Sequence, residues 1–181
     1  MNLKHTEIEG CFLLEPNIIK DERGFFMESF NQQKFEALTG VKMAFVQDNM
    51  SHSTYGVIRG MHAQAGEHAQ AKLVSVLQGE VLDVAVDIRK ESATYGKVVT
   101  ALLNDVNRHQ LFVPRGCLHG FAVLSKQATF FYKCDNFYNK ASEIGVKYDD
   151  SSLHIDWKIP ADQHIISSKD ADLPILKDLK L

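Results

Sequence analysis

The chain has 181 residues, of which 45% are hydrophobic and 24% charged, and its formal net charge is −3. This length allows one domain with a substantial core and is short for two, so we expect a single domain over residues 1–181. The basic residues are scattered, and the chain has neither a signal-peptide pattern nor an apolar run near the roughly 20 residues of a membrane span, so we expect a cytoplasmic protein that binds no nucleic acid and no membrane.

The first predicted element is a short helix. It covers Asn31–Leu38, where Phe35 and Leu38 have the spacing of residues that share one helical face. Further along the chain, Lys72–Gln78 has the composition of a β-strand. From this point the sequence becomes rich in short β-type runs.

The clearest strand signal is Leu82–Arg89, where large apolar side chains take every second position. This period predicts a strand buried on one face, and Gly79-Glu80 is predicted to join it to the preceding strand by a tight turn. Further strands are predicted at Lys97–Leu103, Gln110–Val113, Gly120–Leu124 and Thr129–Cys134. A last helix could occupy part of Asp170–Lys180, with Pro174 near its start. The pattern predicts an antiparallel barrel, open at one end, whose mouth would hold a ligand.

Residues 114–120 read PRGCLHG, which is the PxGxxH pattern of the second sequence motif of the cupin superfamily. The first cupin motif has two histidines one residue apart and a glutamate seven residues before a glycine. Here His62 is followed by Ala63-Gln64, and Lys72 stands seven residues before Gly79. Because an ammonium group cannot ligate a metal, we expect no metal here. The histidines would then be available for proton transfer.

The cysteines and the other histidines are predicted to be structural. Cys11, Cys117 and Cys134 are far apart and form no CxxC pair, so neither a disulfide framework nor a zinc site is indicated. Six histidines outside the motifs are interpreted as hydrogen-bonded core or surface residues: His5, His52, His68, His109, His154 and His164.

Seven segments together resemble the dTDP-4-dehydrorhamnose 3,5-epimerase family. They are residues 21–26 (DERGFF), 45–49 (FVQDN), 56–62 (GVIRGMH), 71–74 (AKLV), 79–87 (GEVLDVAVD), 131–134 (FYKC) and 168–170 (SKD). They follow the order of that family and extend over roughly residues 8–176. The resemblance implies a mainly β fold, a double-stranded β-helix (the jelly-roll or cupin barrel), with a few short helices.

The resemblance also implies a role for individual residues. His62 matches the general base, Asp170 the carboxylate that orients it, Tyr132 the general acid and Lys72 the cation near the enolate. Substrate-contacting positions are matched by Arg23, Glu28, Gln47, Asn49, Arg59, His119, Glu143 and Lys169, and the ring that stacks on the nucleobase by Tyr138.

The implied reaction inverts carbons 3 and 5 of dTDP-4-dehydro-6-deoxy-D-glucose, giving dTDP-4-dehydro-L-rhamnose on the route to dTDP-L-rhamnose. Each inversion removes a proton beside a ketone and returns one to the opposite face of the sugar. A histidine paired with a carboxylate is a competent base, and a tyrosine beyond the ring can donate, more easily if a nearby ammonium lowers its pKa. The family implies a homodimer without a cofactor.

Three other functions remain open from the residues alone: an epimerase acting at one carbon only, a non-catalytic cupin that binds a nucleotide sugar, and a metal-dependent cupin oxygenase. Without the family resemblance, Tyr132 would be interpreted as an aromatic residue of a strand, Arg23 as a surface charge and Asp170 as a helix N-cap. Met61 is a mild departure from the family pattern, and two larger ones are Ala63, after the histidine that matches the general base, and Leu118, before His119. We expect the two larger departures to reshape the sugar pocket.

Overall fold

The computed structural model describes residues 1–180 and is built mainly from short strands. The strands are β1 (Asn2–His5), β2 (Phe12–Glu15), β3 (Ile19–Asp21), β4 (Gly24–Phe26), β5 (Gln47–Thr54), β6 (Ile58–Gln64), β7 (Lys72–Gln78), β8 (Glu80–Asp87), β9 (Val98–Asn104), β10 (Gln110–Val113), β11 (Cys117–Val123), β12 (Gln127–Cys134) and β13 (Glu143–Gly145). The helices are α1 (Gln32–Thr39) and α2 (Ser168–Ala171), and five short 3₁₀ turns complete the described secondary structure.

Two antiparallel sheets face each other. The first has the order β1-β2-β10-β7-β12-β5 and the second the order β13-β6-β11-β8-β9, while β3 and β4 form a separate hairpin. Strands that are neighbours in sequence therefore often lie in different sheets, as in a jelly roll. The prediction of a mainly β jelly-roll barrel with a few short helices is confirmed.

The main core lies between the sheets. Val74 and Phe130 project into it from the first sheet, and Ala85 and Phe121 from the second. The outer face of the second sheet is covered by the C-terminal segment, including Trp157. On the outer face of the first sheet, Phe35 of α1 packs against side chains of β2, β7 and β10. No helix within residues 1–180 is long and apolar enough to cross a membrane.

The strand β8 is buried on both faces, so the prediction of burial on one face was wrong. Leu82 and Val84 pack under the C-terminal segment, whereas Val81 and Ala85 project into the barrel. The acidic residues that made the strand look half-exposed are fully buried on the barrel side, Asp83 and Asp87 both being 0% exposed. Their polar character reflects specific partners rather than contact with solvent.

The predicted tight turn at Gly79-Glu80 does not join a hairpin. The strands on either side, β7 and β8, belong to different sheets, so the chain passes from the first sheet to the second at Gly79. Gly79 has φ +81°, and a Cβ there would clash with the backbone of Gln127. A glycine is required because the chain must turn while touching another strand.

The helix α1 begins after Asn31, whose side chain caps it by accepting from the backbone N–H of Lys34. Phe35 is 1% exposed and Leu38 is 40% exposed, so of these two residues only Phe35 packs in the core. The predicted C-terminal helix is also only partly present: α2 ends at Ala171, before Pro174, and a single 3₁₀ turn follows it.

Candidate active site

A cavity of about 650 Å³ opens at the mouth of the barrel between the two sheets. Its walls come from β5, β7 and β12 on one side, from β6 and β11 on the other, and from the segment leading into α2. Eight of the residues predicted for the site line it: Asn49, Arg59, His62, Lys72, His119, Tyr132, Lys169 and Asp170. The fold thus gathers residues that are up to about 120 positions apart in the sequence.

The two motif histidines lie side by side. His62 on β6 is directly opposite His119 on β11 in the antiparallel ladder. Beside them the two strands are so close that a Cβ at Gly60 would lie only 2.6 Å from Cα of Gly120. The ladder shifts register just after His119, so the glycine pair and this irregularity turn both imidazoles toward the cavity.

His62 is held by Asp170, which lies in α2. The ring nitrogen Nε2 is 2.8 Å from Oδ1 of Asp170, and the other carboxylate oxygen accepts from the backbone N–H of Gly60 at 3.3 Å. The helix is brought here by a bridge between Ile165 and Val57 just before β6. Asp170 is not the helix N-cap, as one interpretation had it: Ser167 caps α2 and bonds the N–H of Asp170.

Burial is the main influence on the pKa of His62. It lowers the pKa of His62 below the usual value of 6.5, while the negative charge and hydrogen bond of Asp170 act in the opposite direction. The imidazole is therefore neutral near pH 7 and able to accept a proton, and Asp170 stabilises the imidazolium that would result.

His119 has a carboxylate partner of its own. Its Nε2 lies 2.8 Å from Oδ1 of Asp83 on β8, and its ring stacks on Phe130 at 5.9 Å. Asp83 was not singled out from the sequence. The available signal was an acidic residue inside an otherwise apolar buried run, which is uncommon without a specific partner.

Lys72 and Tyr132 occupy the wall opposite the histidines. The ammonium of Lys72 lies 5.8 Å from the centre of the Tyr132 ring. Burial lowers the pKa of Lys72 and raises the pKa of Tyr132. Desolvation is the largest influence on the pKa of Tyr132, and the cation that opposes it is Arg59 rather than Lys72. The phenol stays protonated at neutral pH and can act as a donor.

Polar residues form a hydrogen-bonded rim beside the cavity. Glu143 on β13 accepts from the hydroxyl of Tyr138 at 2.8 Å and pairs with the ammonium of Lys169. On the other side, the amide of Gln47 donates to Asn49 at 3.0 Å and accepts from the backbone N–H of Tyr138. These predicted contacts are close to the cavity, although only Asn49 and Lys169 among them line it.

Two of the predicted substrate contacts lie apart from the cavity. Arg23 is in the β3–β4 turn with its side chain 84% exposed, and it pairs with Asp21 at 2.5 Å. Glu28 pairs with Lys34 at 2.7 Å. Neither lines the cavity.

The two larger departures from the family pattern face away from the sugar pocket, contrary to expectation. Ala63 and Leu118 pack in the cluster beneath the C-terminal segment. Each is the direct sequence neighbour of a cavity histidine, and successive side chains of a strand point to opposite faces. Ala63 lines a separate groove of about 360 Å³ instead.

The donor set near the cavity is unlike a metal site. Within residues 1–180 no group of three or more histidine, cysteine or acidic side chains is placed to hold an ion. The cysteines are buried and free. Burial raises the pKa of Cys11 to about 12 and that of Cys134 to about 11, as expected for structural thiols.

Comparison with known proteins gives a consistent result. The profile of the family described as dTDP-4-dehydrorhamnose 3,5-epimerase matches residues 5–178. The enzyme of that name from Shigella flexneri is 52% identical over 170 residues, covering 94% of this chain and 93% of the relative.

Solved structures agree. The crystal structure of dTDP-4-dehydrorhamnose 3,5-epimerase from Elizabethkingia anophelis NUHP1 is similar with a TM-score of 0.95 and 56% identity, over 98% of this chain and 97% of that chain. A dTDP-6-deoxy-D-glucose-3,5-epimerase from Legionella pneumophila Philadelphia 1, in complex with dTDP-4-keto-L-rhamnose, also has a TM-score of 0.95, with 46% identity over 99% of this chain and 94% of that chain.

Proposed function

The chain belongs to the dTDP-4-dehydrorhamnose 3,5-epimerase family and is an isomerase, and from this premise we propose that it inverts carbons 3 and 5 of dTDP-4-dehydro-6-deoxy-D-glucose by a histidine base and a tyrosine acid. The observation that carries the proposal is the His62–Asp170 pair at 2.8 Å, facing Tyr132 and Lys72 across one cavity. No cofactor enters the proposed reaction.

His62 starts the reaction by taking a proton from a carbon next to the ketone. The hydrogen bond from Nε2 to Asp170 leaves Nδ1 as the nitrogen that accepts this proton. Asp170 keeps this tautomer in place and stabilises the imidazolium, as the aspartate of a catalytic triad does. Such a positioned base contributes about 100- to 10,000-fold to the rate.

Lys72 stabilises the enolate that forms when the proton leaves. A preorganised donor to a developing oxyanion is worth about 3–4 kcal/mol of barrier. Tyr132 then gives a proton to the opposite face of the same carbon, and its raised pKa keeps the phenol in the donor form. His62 then releases its proton to water and Tyr132 takes up a proton from water, so both groups return to their starting forms. The same steps at the other carbon beside the ketone complete the double inversion.

The polar rim binds the rest of the substrate. Lys169 and Arg59 supply positive charge for the diphosphate, and Tyr138, which is 52% exposed, supplies a ring for the nucleobase. Gln47, Asn49, His119 and Glu143 contact the nucleoside or the sugar. The pair between Glu143 and Lys169 would open when phosphate oxygens compete for the ammonium.

The protein acts as a homodimer in which Arg23 and Glu28 reach the cavity of the second copy. Three observations favour this arrangement. The β3–β4 hairpin is a separate two-stranded unit, its Phe25 and Phe26 are 52% and 69% exposed, and β5, at the edge of the first sheet, exposes Met50 beside the cavity. A second copy would cover these apolar groups and bring a guanidinium to the diphosphate.

The test is to convert the substrate in deuterated water and follow carbons 3 and 5 by NMR. Incorporation of deuterium at both carbons supports the proposal. Labelling at one carbon only would identify a single-centre epimerase, and nucleotide binding without any labelling would identify a binding protein. Activity that is lost to a chelator and returns with Fe, Mn or Zn would contradict the metal-free mechanism.

A further inference from the structure

The cavity contains a second histidine–carboxylate pair that the proposed mechanism does not use. His119 is 7% exposed, Asp83 is 0% exposed, and the bond between them is 2.8 Å long. Phe130 stacks against the imidazole and Phe121 stacks against Phe130 at 4.1 Å, so the ring is fixed on its other side. The orientation of His119 is therefore determined by packing and by one hydrogen bond to a buried carboxyl group.

This pair repeats the geometry of the first. In both pairs Nε2 bonds a carboxylate Oδ1 at 2.8 Å, and among residues 1–180 no hydrogen-bond partner occupies Nδ1 of either ring. The histidines are directly opposite each other on β6 and β11, and both line the cavity. The carboxylates approach from different elements, Asp170 from α2 and Asp83 from β8.

Asp83 is a poor choice if stability alone is considered. Within the described residues its Oδ2 is buried without a hydrogen-bond partner. Burial raises the pKa of its carboxyl group, which is the expected penalty for a desolvated acid. An apolar residue of similar size would avoid this cost, so the acid is better explained by what it does to His119.

We infer that Asp83 is a positioning residue for the reaction, which holds His119 as the Nε2–H tautomer so that Nδ1 is presented to the sugar, and that the site therefore has two oriented imidazoles. This inference rests on the proposed function. Asp83 itself touches His119 rather than the substrate, so its removal should change turnover through His119 while nucleotide binding stays intact.

The test is a double-mutant cycle with Asp83→Asn, His119→Gln and the double variant. Asp83→Asn keeps the volume and should lower kcat by about tenfold or more, with KM within about threefold of wild type. The double variant should be no slower than His119→Gln alone, because the two residues act as one unit. Asp87→Asn is the matched control, since Asp87 is an equally buried acid four residues along β8 that bonds Arg89, Ser92 and Thr94. It should lower the unfolding temperature and leave kcat unchanged.

A second measurement does not depend on the variants being well folded. In the wild-type protein with ¹⁵N-labelled histidine, the His119 ring should carry its proton on Nε2, and a proton on Nδ1 alone would overturn the inference. Two kinetic results would also overturn the inference. One is an active wild type whose kcat exceeds that of Asp83→Asn by no more than about twofold. The other is a double variant whose loss of kcat equals the product of the two single losses. A wild type that exchanges no deuterium would instead refute the proposed function, on which the inference depends.

Discussion

Nε2 of His62 lies 2.8 Å from Oδ1 of Asp170, although 108 positions separate the two residues in the chain. The C-terminal segment thus forms part of the candidate active site. Ser167 caps the helix that carries the carboxylate, and a bridge at Ile165 fastens the same segment to the start of β6. In the proposed mechanism, His62 can act as the base only if this segment stays docked on the barrel.

Replacing Asp170 by asparagine should reduce kcat about 100-fold or more while the protein remains folded, because the imidazolium loses its counter-charge and the tautomer is no longer fixed. Steady-state kinetics and a thermal melt would measure both quantities. Asp172→Asn is the control: Asp172 is exposed and lies two residues further along, so its variant should keep wild-type kcat. Equal activity of the two variants would show that Asp170 has no catalytic role.

The pH profile should have a limb on each side of neutrality. His62 must be neutral to accept a proton, and burial holds its pKa below 6.5, so activity should fall only as the pH drops through that lowered value. Lys72 must be charged, and burial lowers its pKa below 10.5, so activity should also fall on the alkaline side. Asp170 favours the charged imidazole, and Asp170→Asn should therefore move the acid limb of kcat/KM to lower pH. Movement to higher pH would contradict this assignment.

Replacing Tyr132 by phenylalanine should reduce inversion about 100-fold or more, because the ring remains but the proton donor is lost. Stability should change little, since the ring still packs beside Phe130 at 6.0 Å. Tyr148→Phe provides the control, as Tyr148 packs against Trp157 away from the cavity. Conversion of substrate followed by NMR measures both variants, and a fully active Tyr132→Phe would remove tyrosine from the mechanism.

An aromatic residue at position 63 should be nearly silent in catalysis. Ala63 faces the groove on the far side of β6, which has room for a ring, so Ala63→Phe should leave kcat/KM within about threefold of wild type and change mainly the unfolding temperature. Kinetics on the purified variant would test this. A large change in KM for the nucleotide sugar would mean that position 63 shapes the sugar pocket after all.

The proposed dimer, in which Arg23 of each copy reaches the cavity of the other, can be tested by complementation. Arg23→Ala and His62→Asn should each be impaired alone, yet their heterodimer would contain one complete cavity. Random co-assembly should restore about a quarter of wild-type activity, since half of the dimers are mixed and each has one intact site. If Arg23 acted only within its own chain, mixing would restore nothing.

Local patterns in the sequence predicted the strands β7 to β12, whereas β1 to β6 and β13 were not predicted. Lys72–Gln78 and Gln110–Val113 have the predicted bounds, because each run is mainly apolar and is followed by a turn residue, Gly79 or Pro114. The pairing of strands that are far apart in the sequence could not be predicted from these local patterns. The turn at Gly79 resembles a hairpin turn locally, and only the pairing of β7 with β10 and β12 reveals that the chain changes sheets there.

The candidate site was only partly predictable for the same reason. Motifs identified His62 and Lys72, but Asp83 could be recognised as part of the site only once β8 lay beside β11. Ala63 was expected to shape the sugar pocket, but side chains alternate along β6, so Ala63 faces away from the cavity that His62 lines. Arg23 lies in a separate hairpin away from the cavity of its chain, so the proposed contact of Arg23 with substrate requires a second copy.

The most direct test of His62 as the base is deuterium exchange by wild type and His62→Asn, measured by NMR with dTDP-4-dehydro-6-deoxy-D-glucose in deuterated water. The wild type should exchange the protons at carbons 3 and 5. The variant should still bind dTDP but exchange neither carbon at a measurable rate. Exchange by His62→Asn at a rate close to that of the wild type would contradict the account.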